Sequence, residues 1–201
     1  MFFQEFTSAQ PQLSSTLRND TIMGFADEQT GLKQKGGREL FFTTSVLEDA
    51  ELMVDIHDVW LNAMNELQSV PGMLVSLVFQ PVTTALLNNS LQRGGNSLDL
   101  SVSDGPCVIC LIDTIHAGAS SDEIVISTIP NLIAQIELLA ESRKLASQYR
   151  FINYGHKDQK ILESYGAASV EKLAAASKKY DLIQFFQKNN PGGYKISQVT
   201  G

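Results

Sequence analysis

From Arg38 onward the chain alternates short apolar runs with longer stretches in which apolar residues return every three or four positions. Leu40 to Thr44 is aromatic and β-branched, which predicts a strand. Ser45-Val46-Leu47-Glu48 has the form of a capping box, with a Ser hydroxyl to accept from the third helical N–H and a Glu to reach back. Leu52, Ile56, Val59, Trp60, Ala63, Met64 and Leu67 then lie along one face of a predicted helix that Pro71-Gly72 ends. Met73 to Phe79 reads as a buried strand, Pro81 to Leu91 as a short helix, Arg93 to Asn96 as a turn and Cys107 to Ile115 as another strand. Ser120-Ser121-Asp122-Glu123 repeats the capping-box pattern ahead of a helix expected to reach about Ala146. Pro130 lies inside it and is expected to kink it or mark a new first turn. Tyr149 to Tyr154 alternates as a last strand does, and helical pieces follow near Gln159 to Tyr165 and Ala168 to Tyr180. Asn189 to Ile196 reads as a loop and tail.

The order from Arg38 to Tyr154 is β-α-β, β-α-β. That predicts an α+β fold of the split βαβ (ferredoxin-like) kind, an antiparallel sheet with two long helices on one face. The other face is then expected to meet solvent, a ligand or a second domain. Residues 1–37 are polar and punctuated by Pro11, Gly24, Gly31, Gly36 and Gly37, so they read as an irregular arm ahead of a domain over residues 38–201.

Composition narrows the function. Hydrophobic residues make up 43% and charged residues 18%, which is ordinary for a folded domain. A net charge of -7 argues against a nucleic-acid partner, which needs clustered Lys and Arg. No apolar run approaches the ~20 residues of a membrane span, and Met-Phe-Phe-Gln-Glu-Phe lacks the basic start of a signal peptide, so the expectation is no membrane and a cytoplasmic location by default. The sequons at Asn19 and Asn88 are accordingly read as chance.

Cys107-Val108-Ile109-Cys110 has the Cys-x-x-Cys form. In a strand, positions three apart point to opposite faces, so two buried structural cysteines are expected instead of a redox or zinc pair. His57, His116 and His156 are far apart in sequence, no metal site is expected, and His116 earns attention because it ends a predicted strand. Gly94-Gly95 and Gly192-Gly193 lack the spacing of a phosphate loop. In Tyr149-Arg150-Phe151-Ile152-Asn153-Tyr154, alternation would send Phe151 and Asn153 to one face and Tyr154 to the other. An Asn among aromatic residues at a sheet end suits the anchoring of a planar ligand, and equally an ordinary strand end.

Four stretches in order, Val75 to Pro81, Arg93 to Asn96, Phe151 to Tyr154, and a tail with Ser164-Tyr165-Gly166, Lys178 to Asp181 and Pro191 to Lys195, carry a resemblance. Over about four fifths of its length the chain resembles the C-terminal, substrate-facing region of fungal FAD-linked oxidoreductases of the berberine bridge enzyme-like class, the polar arm resembling their interdomain stretch. The resemblance implies an antiparallel sheet laid over the flavin of a separate N-terminal FAD-binding domain. It implies hydride transfer from a small organic substrate to the flavin and reoxidation by O2. It puts Gln80, Asn96, Phe151, Asn153 and Tyr154 towards flavin and substrate, with Tyr154 the candidate catalytic residue and the Pro191 to Lys195 tail returning to the FAD domain.

The FAD that the resemblance implies has no binding domain recognisable in these residues, so the expected partner is an FAD-binding domain or subunit, and this chain is not expected to act alone. Phe151 stands where the class often has Tyr, Asp99 where a Gly is expected, and Leu182 where Pro is usual. A cofactor-free binding protein, a cyclase or isomerase of natural-product biosynthesis, and an inactive remnant remain alternative readings.

Overall fold

The computed structural model describes residues 15–31 and 35–199. They belong to two compact units that divide between Lys35 and Gly36. In the first unit the arm is not wholly irregular, because it carries helix α1 (Ile22–Gly31). The Thr21 hydroxyl accepts from the Gly24 N–H at 3.1 Å and so satisfies one of the donors that a helix start leaves open. Residues 1–14 and 32–34 of the expected arm lie outside the described residues.

The second unit contains β1 (Arg38–Leu47), α2 (Ala50–Leu67), β2 (Leu74–Val82), α3 (Thr84–Gln92), β3 (Cys107–His116), α4 (Asp122–Ser142), β4 (Ala146–Ser147), α5 (Gly166–Tyr180) and α6 (Phe185–Lys188). The sheet order is β2-β3-β1-β4, and every pairing is antiparallel. This is the split βαβ topology expected from the pattern. Partners across a ladder share a face, so Ile112 lies beside Phe42 and Leu77 on one side, and Leu111 beside Thr43 and Val78 on the other.

The first side is the main core. Phe42, Val46, Val108, Cys110 and Ile112 meet Leu52 and Ile56 of α2 and Val125, Ile129, Leu132, Ile133 and Ile136 of α4. α4 and its lead-in are long and apolar enough to cross a membrane by length and composition, contrary to the sequence expectation. Its apolar stripe is nevertheless the one that packs on this sheet. The helix runs through Pro130 as one element and stops four residues before Ala146. There Lys144 turns left-handed at φ 60°, its N–H bonds Glu141 O at 3.0 Å and the Leu145 N–H bonds Ala140 O at 2.8 Å, which closes the helix and frees Ala146 to join the sheet.

Three boundaries differ from the sequence reading. Ser45 does not cap a helix. It is buried in β1, because the β-branched run keeps pairing with β3 and β4, and Asp49 caps α2 instead by accepting from the Leu52 N–H at 2.7 Å. The second capping box is also absent, since its Ser120 lies inside a 3₁₀ turn (Ala119–Ser121) and Ser121, which stands at the start of α4, makes no side-chain cap bond. Pro81 lies in β2, which tolerates it as an edge strand, and α3 starts at Thr84 under the Thr83 hydroxyl.

The largest correction is at Tyr149 to Tyr154. The fourth strand is only Ala146–Ser147, and Ile152–Tyr154 is a 3₁₀ turn. Two side chains take over the work of a ladder. The Ser164 hydroxyl accepts from the Arg150 N–H at 3.1 Å. On the edge of β1, Gln159 accepts from the Thr43 N–H at 3.1 Å and donates to Thr43 O at 2.7 Å, standing in for a missing strand residue.

The second side of the sheet is not simply left open. At the end with Val82, Cys107 and Ile109 it is covered by the chain's own Tyr149, Ile161, Leu162, Tyr165, Val170 and Ile196. The tail also packs on this unit, since the Tyr194 hydroxyl donates to His156 O at 2.5 Å and Ile196 is buried in this cluster. At the other end Leu74 and Val78 of β2 remain exposed.

Candidate functional site

The uncovered half of the sheet meets the 3₁₀ turn at one point. The Tyr154 hydroxyl donates to Gln80 Oε1 at 3.0 Å, which bridges the turn to edge strand β2. Phe151 packs edge-to-face on the Tyr154 ring, with centroids 4.8 Å apart and planes at 88°. The turn is held from within by the Tyr154 N–H on Phe151 O at 3.0 Å. Because residues 152–154 form a turn, strand alternation does not apply, and Phe151 and Tyr154 touch instead of facing apart. Asn153 is the exposed residue of the turn.

The structure therefore joins Gln80, Phe151 and Tyr154, with Asn153 adjacent, and does not join Asn96 or His116 to them. The Asn96 carboxamide is committed to its own loop. It donates to Ser90 Oγ and Leu100 O, and accepts from the Leu98 and Leu100 N–H groups, with all four bonds between 2.8 and 3.3 Å. It lines a separate groove of about 440 Å³ between α3 and that loop, with Leu86, Leu87, Arg93 and Leu98. His116 is 1% exposed and faces the helices, in register with Arg38. Its Nε2 lies 2.9 Å from Asp122 Oδ1, and Arg38 grips the same carboxylate with two bonds of 2.5 and 2.6 Å. Arg38, and then His116, hold the Asp122 carboxyl below the usual range. This trio ties β1 and β3 to the start of α4, which gives His116 a structural explanation.

His156, which the sequence reading left aside, lies next to the turn. Its ring stacks on Phe42 at 4.2 Å and 14°. Burial lowers its pKa, and the neighbouring Asp158 only partly opposes that shift. With Gly155, Lys157, Glu39, Leu40 and Phe41 it lines a groove of about 440 Å³ at the edge of β1. Gly155 fits there because a Cβ would collide with the Tyr194 hydroxyl and the Ile161 side chain. No sequence signal singled out Gln159 or Gly155, since their importance rests on contacts made across the fold. His57 is half-exposed on α2 beside Asp58 and Trp60.

Cys107 and Cys110 fall in the two different apolar clusters, on opposite faces, as the strand spacing predicts. Burial pushes the Cys107 thiol up to about 11 and the Cys110 thiol up to about 12, so neither is a thiolate at neutral pH. Among the described residues no three His, Cys, Asp or Glu side chains converge as a metal site would need.

No protein-family profile matches the chain, and no solved structure does. Among curated proteins it is 28% identical over 195 residues to the FAD-dependent monooxygenase FUP4 of Fusarium proliferatum, covering 94% of this chain and 38% of that protein. It is 29% identical over 191 residues to the FAD-dependent monooxygenase tpcD of Cochliobolus heterostrophus, covering 92% and 37%. It is also 29% identical over 156 residues to the bifunctional solanapyrone synthase of Alternaria solani, covering 78% and 30%. The chain thus corresponds to well under half the length of these relatives, and its curated similarity is to one part of fungal FAD-dependent monooxygenases.

Proposed function

We propose that this chain is the substrate-facing part of a flavin-dependent oxidoreductase of the berberine bridge enzyme-like kind. The FAD would be held by an FAD-binding domain or subunit outside these residues, and a small organic substrate would lie between the two. The observation that carries the reading is the Tyr154–Gln80 pair at the boundary of the uncovered part of the sheet, where Gln80 shares a face with exposed Val78 and, further along the same strand, Leu74, in a chain whose relatives include proteins named for FAD. An apolar strip with a polar margin fits a flat heterocycle whose face is apolar and whose edge is polar.

Bound FAD would supply a two-electron acceptor for the substrate's hydride, with O2 as the terminal oxidant, reduced with one further proton to hydrogen peroxide. Leu74 and Val78 would exclude water from the ring. Phe151 would fix the plane of Tyr154. With its proton directed at Gln80, the Tyr154 oxygen can accept a hydrogen bond from a substrate hydroxyl and orient it. Asn153 would contribute an exposed carboxamide at the same edge.

Purified chain mixed with the FAD-loaded FAD-binding portion of tpcD should shift the flavin absorbance bands, and Tyr154→Phe should change the size of that shift. Tight, stoichiometric FAD retention by this chain alone would overturn the reading, as would a complex whose flavin spectrum ignores both the chain and Tyr154.

A further inference from the structure

The groove between α3 and the loop that follows it has apolar walls and a single charge. It measures about 440 Å³, and Val82, Leu86, Leu87, Leu98 and Leu100 supply its hydrophobic lining. Leu86 is 57% exposed, so the groove presents apolar surface that a ligand can bury. From Leu67 to Leu98 the chain carries one charged residue, Arg93, and that residue lines the groove. Asn89, Ser90 and Arg93 follow Leu86 at the helical spacing that shares one side of α3.

Two structural explanations for Arg93 fail. An Arg at a helix C-terminus can serve the last carbonyls, but backbone donors already do so here. Ser90 O accepts from the Arg93 and Gly95 N–H groups at 3.1 and 2.9 Å, and Leu91 O accepts from the Gly94 N–H at 3.2 Å. An Arg can also pin a loop through an ion pair, but among the described residues the Arg93 guanidinium has no hydrogen-bond or ion-pair partner. Its donors are available to a ligand.

The groove is preformed. Gly94 and Gly95 turn the loop at φ 98° and 84°, where a side chain would be strained. The Asn96 carboxamide then fixes the far wall through its bonds to Ser90, Leu98 and Leu100. The Ser90 hydroxyl accepts from Asn96 and keeps its own proton to donate. A rigid apolar cleft with a few fixed polar groups suits a small organic molecule, and a lone guanidinium selects one with a carboxylate.

We propose that this groove binds a small apolar carboxylic acid, with its hydrocarbon part against Leu86, Leu87 and Leu98 and its carboxylate paired with Arg93 and Ser90. The site is distinct from the Tyr154–Gln80 pair, although Gln80 and Val82 lie two positions apart on one face of β2. The assignment goes beyond the flavin reading and does not depend on it.

The test titrates the full chain with decanoate by calorimetry, with decanol and decylamine as the neutral and cationic counterparts. Decanoate should bind most tightly, and added salt should weaken it while sparing decanol. Arg93→Gln should weaken decanoate about tenfold and leave decanol unchanged. Leu86→Ser should weaken both. Leu91→Asp, at an exposed apolar position of α3 outside the groove, should change neither. In nuclear magnetic resonance spectra, decanoate should shift the signals of Leu86, Ser90 and Leu98 and leave those of Leu74 and Val78 in place. Equal affinity for the three probes, indifference to Arg93→Gln, shifts centred on Leu74 and Val78, or no binding of decanoate would overturn the proposal. So would self-association of the chain that Leu86→Ser abolishes, since the groove would then receive a second copy. If Tyr154 proves irrelevant to the flavin spectrum, the functional reading fails and this site is untouched. If decanoate fails while Tyr154 alters that spectrum, the reverse holds.

Discussion

Tyr154 and Gln80 are 74 residues apart and meet in one hydrogen bond of 3.0 Å, donated by the phenol. The bond ties the turn at residues 152–154 to the edge strand, so it both positions Tyr154 and closes one side of the uncovered sheet face. A double-mutant cycle with Tyr154→Phe and Gln80→Ala, read from urea midpoints, should give a coupling of about 0.5–1 kcal/mol, the usual net worth of a hydrogen bond near solvent. Additive losses would mean that the pair does not hold the turn.

Gln159 is the side chain that replaces a strand. Thr43 is fully buried, and both of its backbone groups depend on that one carboxamide. Gln159→Ala should destabilise the chain by about 2–4 kcal/mol, because two buried polar groups lose their partner together. Hydrogen exchange should show the Thr43 amide losing protection before the rest of β1.

Gly155 sits under Tyr194 and Ile161 with no room for a methyl group. Gly155→Ala should cost about 1–3 kcal/mol through overpacking. Thermal melts of this variant should fall by several degrees, and the tail around Ile196 should become sensitive to protease. An unchanged melting temperature would show that the turn and tail can part without loss.

Lys144 occupies the left-handed position that closes α4. A lysine there carries a steric cost that glycine avoids. Lys144→Gly should therefore raise stability by about 1 kcal/mol, seen as a higher urea midpoint with an unchanged slope.

His156 has its pKa lowered by burial against Phe42, with Asp158 opposing and Lys157 reinforcing the shift. The folded value lies below the ordinary 6.5, so the unfolded chain binds this proton more readily. The stability that neutral His156 contributes is fully present above about pH 6.5 and is lost as pH falls through that value towards the folded pKa. The melting temperature should drop from pH 7 to pH 5 by more in the parent chain than in His156→Phe. Parallel curves would mean that the ring is not held neutral.

What the sequence determined is what depends on periodicity. Leu52, Ile56, Ile129, Leu132 and Ile136 repeat at helical spacing and were bound to form the inner faces of two helices. Cys107 and Cys110 had to part company across a strand, because side chains alternate whatever else the fold does. Those patterns suffice for the split βαβ order and for the side on which the helices lie. Gln80 and Tyr154 were also legible as candidates, through a family resemblance and not through any spacing.

Tertiary structure decided the rest, because it turns on which partner satisfies each backbone group. Residues 149–154 have the alternation of a strand, yet Gln159 and Ser164 meet the needs of the edge and the chain folds into a turn. Ser45-Val46-Leu47-Glu48 has the letters of a cap, yet pairing with β3 and β4 outweighs it. Asn96 is expected from the resemblance to face a ligand, and only the folded loop shows that its amide bonds Ser90, Leu98 and Leu100. His116 stood at a strand end, and only the register showed that it faces Asp122 and the helices. Local pattern specifies local geometry, but the fate of a polar side chain depends on contacts between residues far apart in the chain, and those exist only once the sheet has formed.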